Sequence, residues 1–145
     1  MVINFYFEGV SSFLKERIRH KAWLIEVANS YGKQIQNINY IFCNDEYLLS
    51  INQEYLKHDD YTDIITFGYE SNPIVADIYI SKERTDENAK KYEVSSDIEL
   101  KRVMAHGLLH LIGYKDKSTE EKEEMRKMEN QALNLWEKIT LRTES

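Results

Sequence analysis

The sequence predicts an α+β domain, a small mixed β-sheet covered by helices, with residues 1–145 forming a single domain. Three observations carry this prediction. Short β-branched and aromatic runs alternate with stretches of helical period in the order β-α-β-α-β-β-α-α-α. Two of the strand runs are separated only by Ser71-Asn72-Pro73, the chemistry of a hairpin turn. The most apolar helical stretch, around Met104 to Ile112, is Leu-rich and belongs in the core.

In chain order, Val2 to Phe7 reads as a strand ending before Gly9. Ser11 or Ser12 can cap a helix with the stripe Leu14, Ile18, Ala22 and Ile25, ending at Gly32. Ile38 to Cys43 has the period of a strand buried on at least one face. Asn44 can cap the next helix, with Leu48, Ile51, Tyr55 and Leu56 inward. Asp63 to Tyr69 and Ile74 to Ile80 form the hairpin. Ser81 opens a polar helix through Lys91, a lid or surface element. Ser96-Asp97-Ile98-Glu99 is a capping box that starts the apolar helix, whose stripe is Leu100, Val103, Met104, Leu108 and Leu111. Ser118 with Glu121 caps a last helix with the stripe Met125, Met128, Ala132, Leu135 and Trp136.

The chemistry concentrates in Met104 to Asp116, M-A-H-G-L-L-H-L-I-G-Y-K-D. Four residues along a helix, His106 and His110 stand about 40° apart around the axis, with Cβ atoms about 6 Å apart. Two imidazoles so placed can hold one metal ion, as in the H-E-x-x-H helix of zinc hydrolases, which makes this a zincin-like metal-binding helix. The competing reading is a pair of packed core histidines. Gly113 is suited to end the helix, so that the chain can turn back and deliver Asp116 to the same point. Compared with the longer protease pattern H-E-x-x-H-x-x-G-x-x-H, Gly107 replaces the catalytic Glu and Asp116 the third His. Without that Glu, peptide hydrolysis lacks its proton shuttle.

The segment H-G-L-L-H-L-I-G-Y-K-D resembles the signature of the YbeY family of bacterial metal-dependent endoribonucleases, H-G-x-L-H-L-x-G-Y-D-H. Upstream, N-Q-E-Y-L-K-H-D-D-Y-T-D-I-I-T-F from Asn52 to Phe67, and A-D-I-Y-I from Ala76, are similar to that family's N-x-x-Y-R-x-x-D-x-x-T-D-V-L-S-F and G-D-I-x-I. Asp116 stands for the family's third metal His, Lys115 for the Asp before it, Leu56 for an Arg and Ala76 for a Gly. The resemblance implies a zinc-dependent, single-strand-specific endoribonuclease of ribosomal RNA maturation and quality control. The metal set would be His106, His110 and Asp116 with one Zn2+ per chain, and metal-activated water would attack an RNA phosphodiester. Asp77 or Asp63 would orient that water, and Arg102 or Lys57 would stand in for the missing Arg. Asp77 can equally be a solvent-facing strand residue, Thr62 and Asp63 can cap their own turn, and Arg102 can pair with Glu99. The alternatives are a zinc metallopeptidase, a non-catalytic metal-stabilised ribosome-assembly factor and, with lower weight, an iron oxygenase site built on the same two-His-one-carboxylate set.

Composition narrows the partners. A net charge of −6 excludes a protein that simply coats nucleic acid, though not one that holds RNA in a local cleft. The densest basic cluster, Lys15, Arg17, Arg19, His20 and Lys21, reads as a solvated helix face. The single cysteine, Cys43, excludes an internal disulfide and falls in a strand, where packing is its simplest role. No apolar run reaches membrane-span length and the N-terminus lacks a signal pattern, so a cytoplasmic monomer acting on RNA is expected, with the ribosomal small subunit or assembly factors as partners and no membrane.

Overall fold

The computed structural model describes residues 1–57 and 62–139; the part of the upstream motif from His58 to Tyr61 lies outside the described residues. The elements follow the predicted order: β1 (Val2–Glu8), α1 (Arg17–Ser30), β2 (Ile35–Cys43), α2 (Asp45–Ile51) running into a π-helical turn (Asn52–Leu56), β3 (Ile64–Ser71), β4 (Ile74–Ser81), α3 (Lys82–Lys91), α4 (Ser96–Ile112) and α5 (Thr119–Lys138). The sheet has the strand order β1-β2-β4-β3. β1, β2 and β4 are parallel and β3 is antiparallel to β4, so the sheet is mixed and the fold α+β.

Side-chain alternation splits the sheet into two faces. Ile38, Tyr40 and Phe42 of β2 and Ile74, Ala76, Ile78 and Ile80 of β4 join the main core with α1, α4 and α5. Cys43 and Ile65 point to the other face, where Leu48 and Ile51 of α2 cover them. Burial pushes the Cys43 thiol up to about 12, so it is an inert packing group. On the core side α4 is seated closely: the Tyr40 hydroxyl donates to the Met104 carbonyl at 3.0 Å. Met104, Ala105, Leu108 and Leu109 are wholly buried. Trp23 of α1 donates to the Ala132 carbonyl of α5 at 2.7 Å and meets Trp136 edge to face. Among the described residues no helix is long and apolar enough to cross a membrane.

Four local expectations change. α1 begins at Arg17, not at Ser11 or Ser12: Arg17 takes up the Ser12 hydroxyl, Phe13 packs on Phe7 and Phe42, and Glu16 enters the helix from a left-handed conformation. The inward face is therefore His20, Trp23, Leu24, Val27 and Ala28, and Ile18 is 60% exposed. Tyr55 and Leu56 face outward because the wider π turn rotates them off the stripe that Leu48 and Ile51 define. The cap of α4 is Ser95 rather than Ser96; its hydroxyl accepts from the Ile98 N–H, which leaves Glu99 to turn inward. α3 lies against α4 with Thr85 and Ala89 buried, a packed element rather than a free lid.

Candidate metal centre

α4 presents His106 and His110 on one side, and their Nε2 atoms are 2.9 Å apart. The helix ends at Gly113, whose φ of 122° is open to glycine and strained for other residues. The Gly113 and Tyr114 N–H groups close the last turn on the Leu109 and His110 carbonyls. Ser118 then caps α5 in a capping box with Glu121, which pins the connection at its far end. Between these two caps, Asp116 Oδ2 reaches 3.2 Å from His106 Nε2 and 3.4 Å from His110 Nε2. The turn is capped by Ser118 and Glu121, and the Asp116 carboxylate faces the histidines instead.

The hydrogen bonds settle which ring nitrogens are available. His106 Nδ1 donates to Glu129 Oε2 at 2.7 Å, and His110 Nδ1 donates to the Tyr114 carbonyl at 2.9 Å. With Nδ1 donating in each ring, the neutral imidazoles present their Nε2 lone pairs toward a carboxylate oxygen. Three acceptors within 3.4 Å of one another repel unless a positive charge lies among them. Ligands bound at ~2.0–2.1 Å in a tetrahedron are about 3.3–3.4 Å apart, close to this triangle. The residues present thus fit one metal ion, and His106, His110 and Asp116 form such a group. The surrounding field is negative: burial pulls the His106 pKa down, but the hydrogen bond and charge of Glu129, with Asp116 and Asp63, outweigh it and raise it above the ordinary 6.5, so Nε2 attracts a proton or a metal cation.

The three residues lie at the edge of an open cleft of about 740 Å³, lined also by Asn52, Leu56, Thr62, Asp63, Ile64, Ile65 and Thr66. Asp63 shares the cleft with the histidines; burial raises its carboxyl pKa, partly offset by His106. Thr62 both lines the cleft and donates to the Ile64 carbonyl at 3.4 Å. Leu56 is at the rim, whereas Lys57, just past the π turn, is not in the lining.

Two expected site residues lie elsewhere. Asp77 points to the opposite face of the sheet, accepting from Asn39 Nδ2 at 3.0 Å and the Tyr69 hydroxyl at 2.9 Å. Its neighbours Ala76 and Ile78 take the core face, and alternation sends Asp77 away from α4. Arg102 is not in the lining of this cleft but beside it, 3.3 Å from Glu129 Oε1 and 3.7 Å from Glu99 Oε1. The N-terminal basic cluster is not at the cleft: His20 is buried and Arg19 lies over the Trp136 ring.

Glu129 escapes a reading of motifs. Its signal is a carboxylate within the apolar stripe of α5, beside Met128 and one turn from Met125 and Ala132, and it is 5% exposed. Gly107 has a second meaning as well. A Cβ there would stand 2.8 Å from Ile64 Cδ1 and 3.3 Å from Ile78 Cγ2, so this position faces the sheet and not the cleft. A glutamate could not serve there as the base of a peptidase.

A sequence model of the family Endoribonuclease YbeY matches residues 8–137. The chain is 47% identical over 133 residues to the Endoribonuclease YbeY of Porphyromonas gingivalis, covering 90% of this chain and 87% of that one. It is 48% identical over 136 residues to that of Flavobacterium johnsoniae, covering 93% and 97%. The solution structure of TM1509 from Thermotoga maritima shares the fold, with a TM-score of 0.64 at 24% identity and 92% of each chain covered.

Proposed function

The chain belongs to the Endoribonuclease YbeY family, and from that membership we propose that it is a zinc-dependent endoribonuclease that hydrolyses single-stranded ribosomal RNA during ribosome maturation and quality control. The observation that carries this reading is the convergence of His106 Nε2, His110 Nε2 and Asp116 Oδ2 at an open cleft, with both Nδ1 atoms anchored from behind. Two imidazoles and one carboxylate suit zinc, and three protein ligands leave a position for water or substrate. A zinc ion bound there supplies Lewis acidity, polarising a phosphoryl oxygen and lowering the pKa of water beside it.

The chain's own residues do the rest. Glu129 and the Tyr114 carbonyl hold each imidazole in the tautomer with Nε2 free. As the water oxygen bonds to phosphorus and the bond to the leaving ribose oxygen breaks, Asp63 accepts the water's proton at its carboxylate, and the leaving oxygen takes a proton from solvent. Burial makes Asp63 a stronger base than an exposed carboxylate. Arg102 acts through Glu129 as a positioning residue, and Asp77 contributes to the sheet rather than to the reaction. The substrate is RNA, with the ribosomal small subunit or its assembly factors as partners, and a cytoplasmic monomer suffices for the chemistry.

The test combines metal analysis with cleavage. Protein purified from metal-replete cells should carry about one zinc per chain and cut single-stranded RNA, and His110→Ala should lose both properties. DNA and casein should survive. Cleavage of casein with RNA intact would establish a peptidase; bound metal with no cleavage of any RNA would leave the assembly-factor reading.

A further inference from the structure

A second, smaller recess of about 160 Å³ lies between α3, α4 and α5 and shares Asp63 and His106 with the main cleft. We infer that this recess is a nucleotide subsite, in which Arg126 pairs with a backbone phosphate of single-stranded RNA and Tyr92 stacks on a base. The inference rests on the ribonuclease reading above.

Charge supplies the first argument. RNA held at the metal centre brings one negative charge per nucleotide, and affinity comes largely from cations that neutralise those phosphates. Yet the described lining of the main cleft contains no Lys or Arg. Two guanidinium groups line the recess, and they differ in commitment. The Arg102 side chain is 15% exposed and is spent on Glu129, Glu99 and the Asn130 side chain. That of Arg126 is 57% exposed, and its one ion pair among the described residues is a long 3.9 Å contact to Glu129, which Arg102 and His106 already hold. Glu99 and Glu129 are buried and turned inward, and Arg126 is the exposed charged side chain among those lining the recess.

The aromatic side supplies the second. Tyr92 follows the last turn of α3 and is 53% exposed although it lines the recess. The Lys91 ammonium lies 5.6 Å from its ring centroid, a cation beside the ring. An exposed ring beside cations is what unstacked bases and their phosphates are held by, and every base offers a face to it. A duplex keeps its bases stacked on one another, so the subsite selects single strands. Because His106 and Asp63 belong to both hollows, a strand crossing the metal centre has its next nucleotide at the recess.

The test is binding of a fluorescent single-stranded oligoribonucleotide to the metal-loaded chain, read by anisotropy in the first minute with strand integrity checked on a gel. The variants are Arg126→Ala, Arg126→Lys, Tyr92→Ala and Tyr92→Phe, each with metal content and melting temperature measured. Arg126→Ala should weaken binding about five- to ten-fold and flatten the salt slope by about 0.7, one phosphate contact, and Arg126→Lys should keep the slope. Tyr92→Ala should weaken binding roughly ten-fold with the slope unchanged, and Tyr92→Phe should bind as wild type. Wild-type affinity and slope in both Ala variants would overturn the subsite; a change in only one would remove the other residue from it. Recess-dependent binding without cleavage would sink the ribonuclease reading and leave this site standing.

Discussion

His106 Nδ1 and Glu129 Oε2 are 2.7 Å apart, although the two residues lie on different helices and 23 positions apart in the chain. The carboxylate is 5% exposed and receives Arg102 on its other oxygen, so the ring it holds cannot rotate without breaking a buried charge network. α5 therefore decides which nitrogen α4 offers to a metal.

Glu129→Ala should weaken zinc binding by about 10- to 100-fold, the usual effect of removing the partner of a ligand histidine. Glu129→Gln, which keeps an acceptor oxygen but not the charge, should fall between. Competition against a chelator of known affinity measures both, and a wild-type constant for the Ala variant would show that His106 needs no support.

Asp116→Ala should lose most bound metal, because the third side of the ligand triangle disappears. Asp116→His should retain it if the connection after Gly113 can relax to fit the longer side chain. Zinc content beside wild type decides, and full occupancy in Asp116→Ala would remove Asp116 from the site.

Gly107→Ala sets two effects against each other. The helix gains ~1 kcal/mol of propensity, while crowding of a packed core costs ~1–3 kcal/mol. The close atom of Ile64 is a side-chain end that can move, but Ile78 is wholly buried at 3.3 Å, so a net loss of about 1 kcal/mol is expected. That corresponds to a fall of roughly 3–4 °C in melting temperature, with metal content retained. A rise in stability would mean that the helix and sheet are less closely seated than the contacts indicate.

His20 should make stability pH-dependent. Burial between Phe5, Trp23 and Trp136 lowers its pKa below 6.5, and Lys101 adds to that against the raising effect of the Glu16 carbonyl. The unfolded chain thus binds the proton first. The contribution is complete above the unfolded pKa and is lost as pH falls through 6.5 toward the folded value, at up to about 1.4 kcal/mol per pH unit. Urea unfolding at pH 8 and pH 5.5 should show a smaller difference in His20→Gln than in wild type; equal differences would assign the acid loss to other groups.

Asp77→Ala should keep wild-type metal content. Its losses are the hydrogen bonds to Asn39 and Tyr69, together no more than about 1–2 kcal/mol at this half-open face. Loss of zinc on this substitution would require the sheet's far face to communicate with α4.

Much of the molecule was legible from local chemistry. The alternation and helical periods that set the order of elements act within a few residues, as do the stop at Gly113, the cap at Ser118 and the common side of His106 and His110. Only the tertiary structure decided the rest. Period two says that Asp77 and Ile78 point oppositely, but which of the two meets α4 depends on the face the helix covers. The helical stripe of α1 shifted because burial of Trp23 and Leu24 outweighed that of Ile18 once Phe13 and Leu14 filled the core ahead of the helix. Arg102 and Glu129 lie 27 positions apart and pair only because α4 packs on α5. Spacing along a chain carries information over one or two turns; the tautomer of His106 depends on a contact between helices, and that contact exists only when the core has closed.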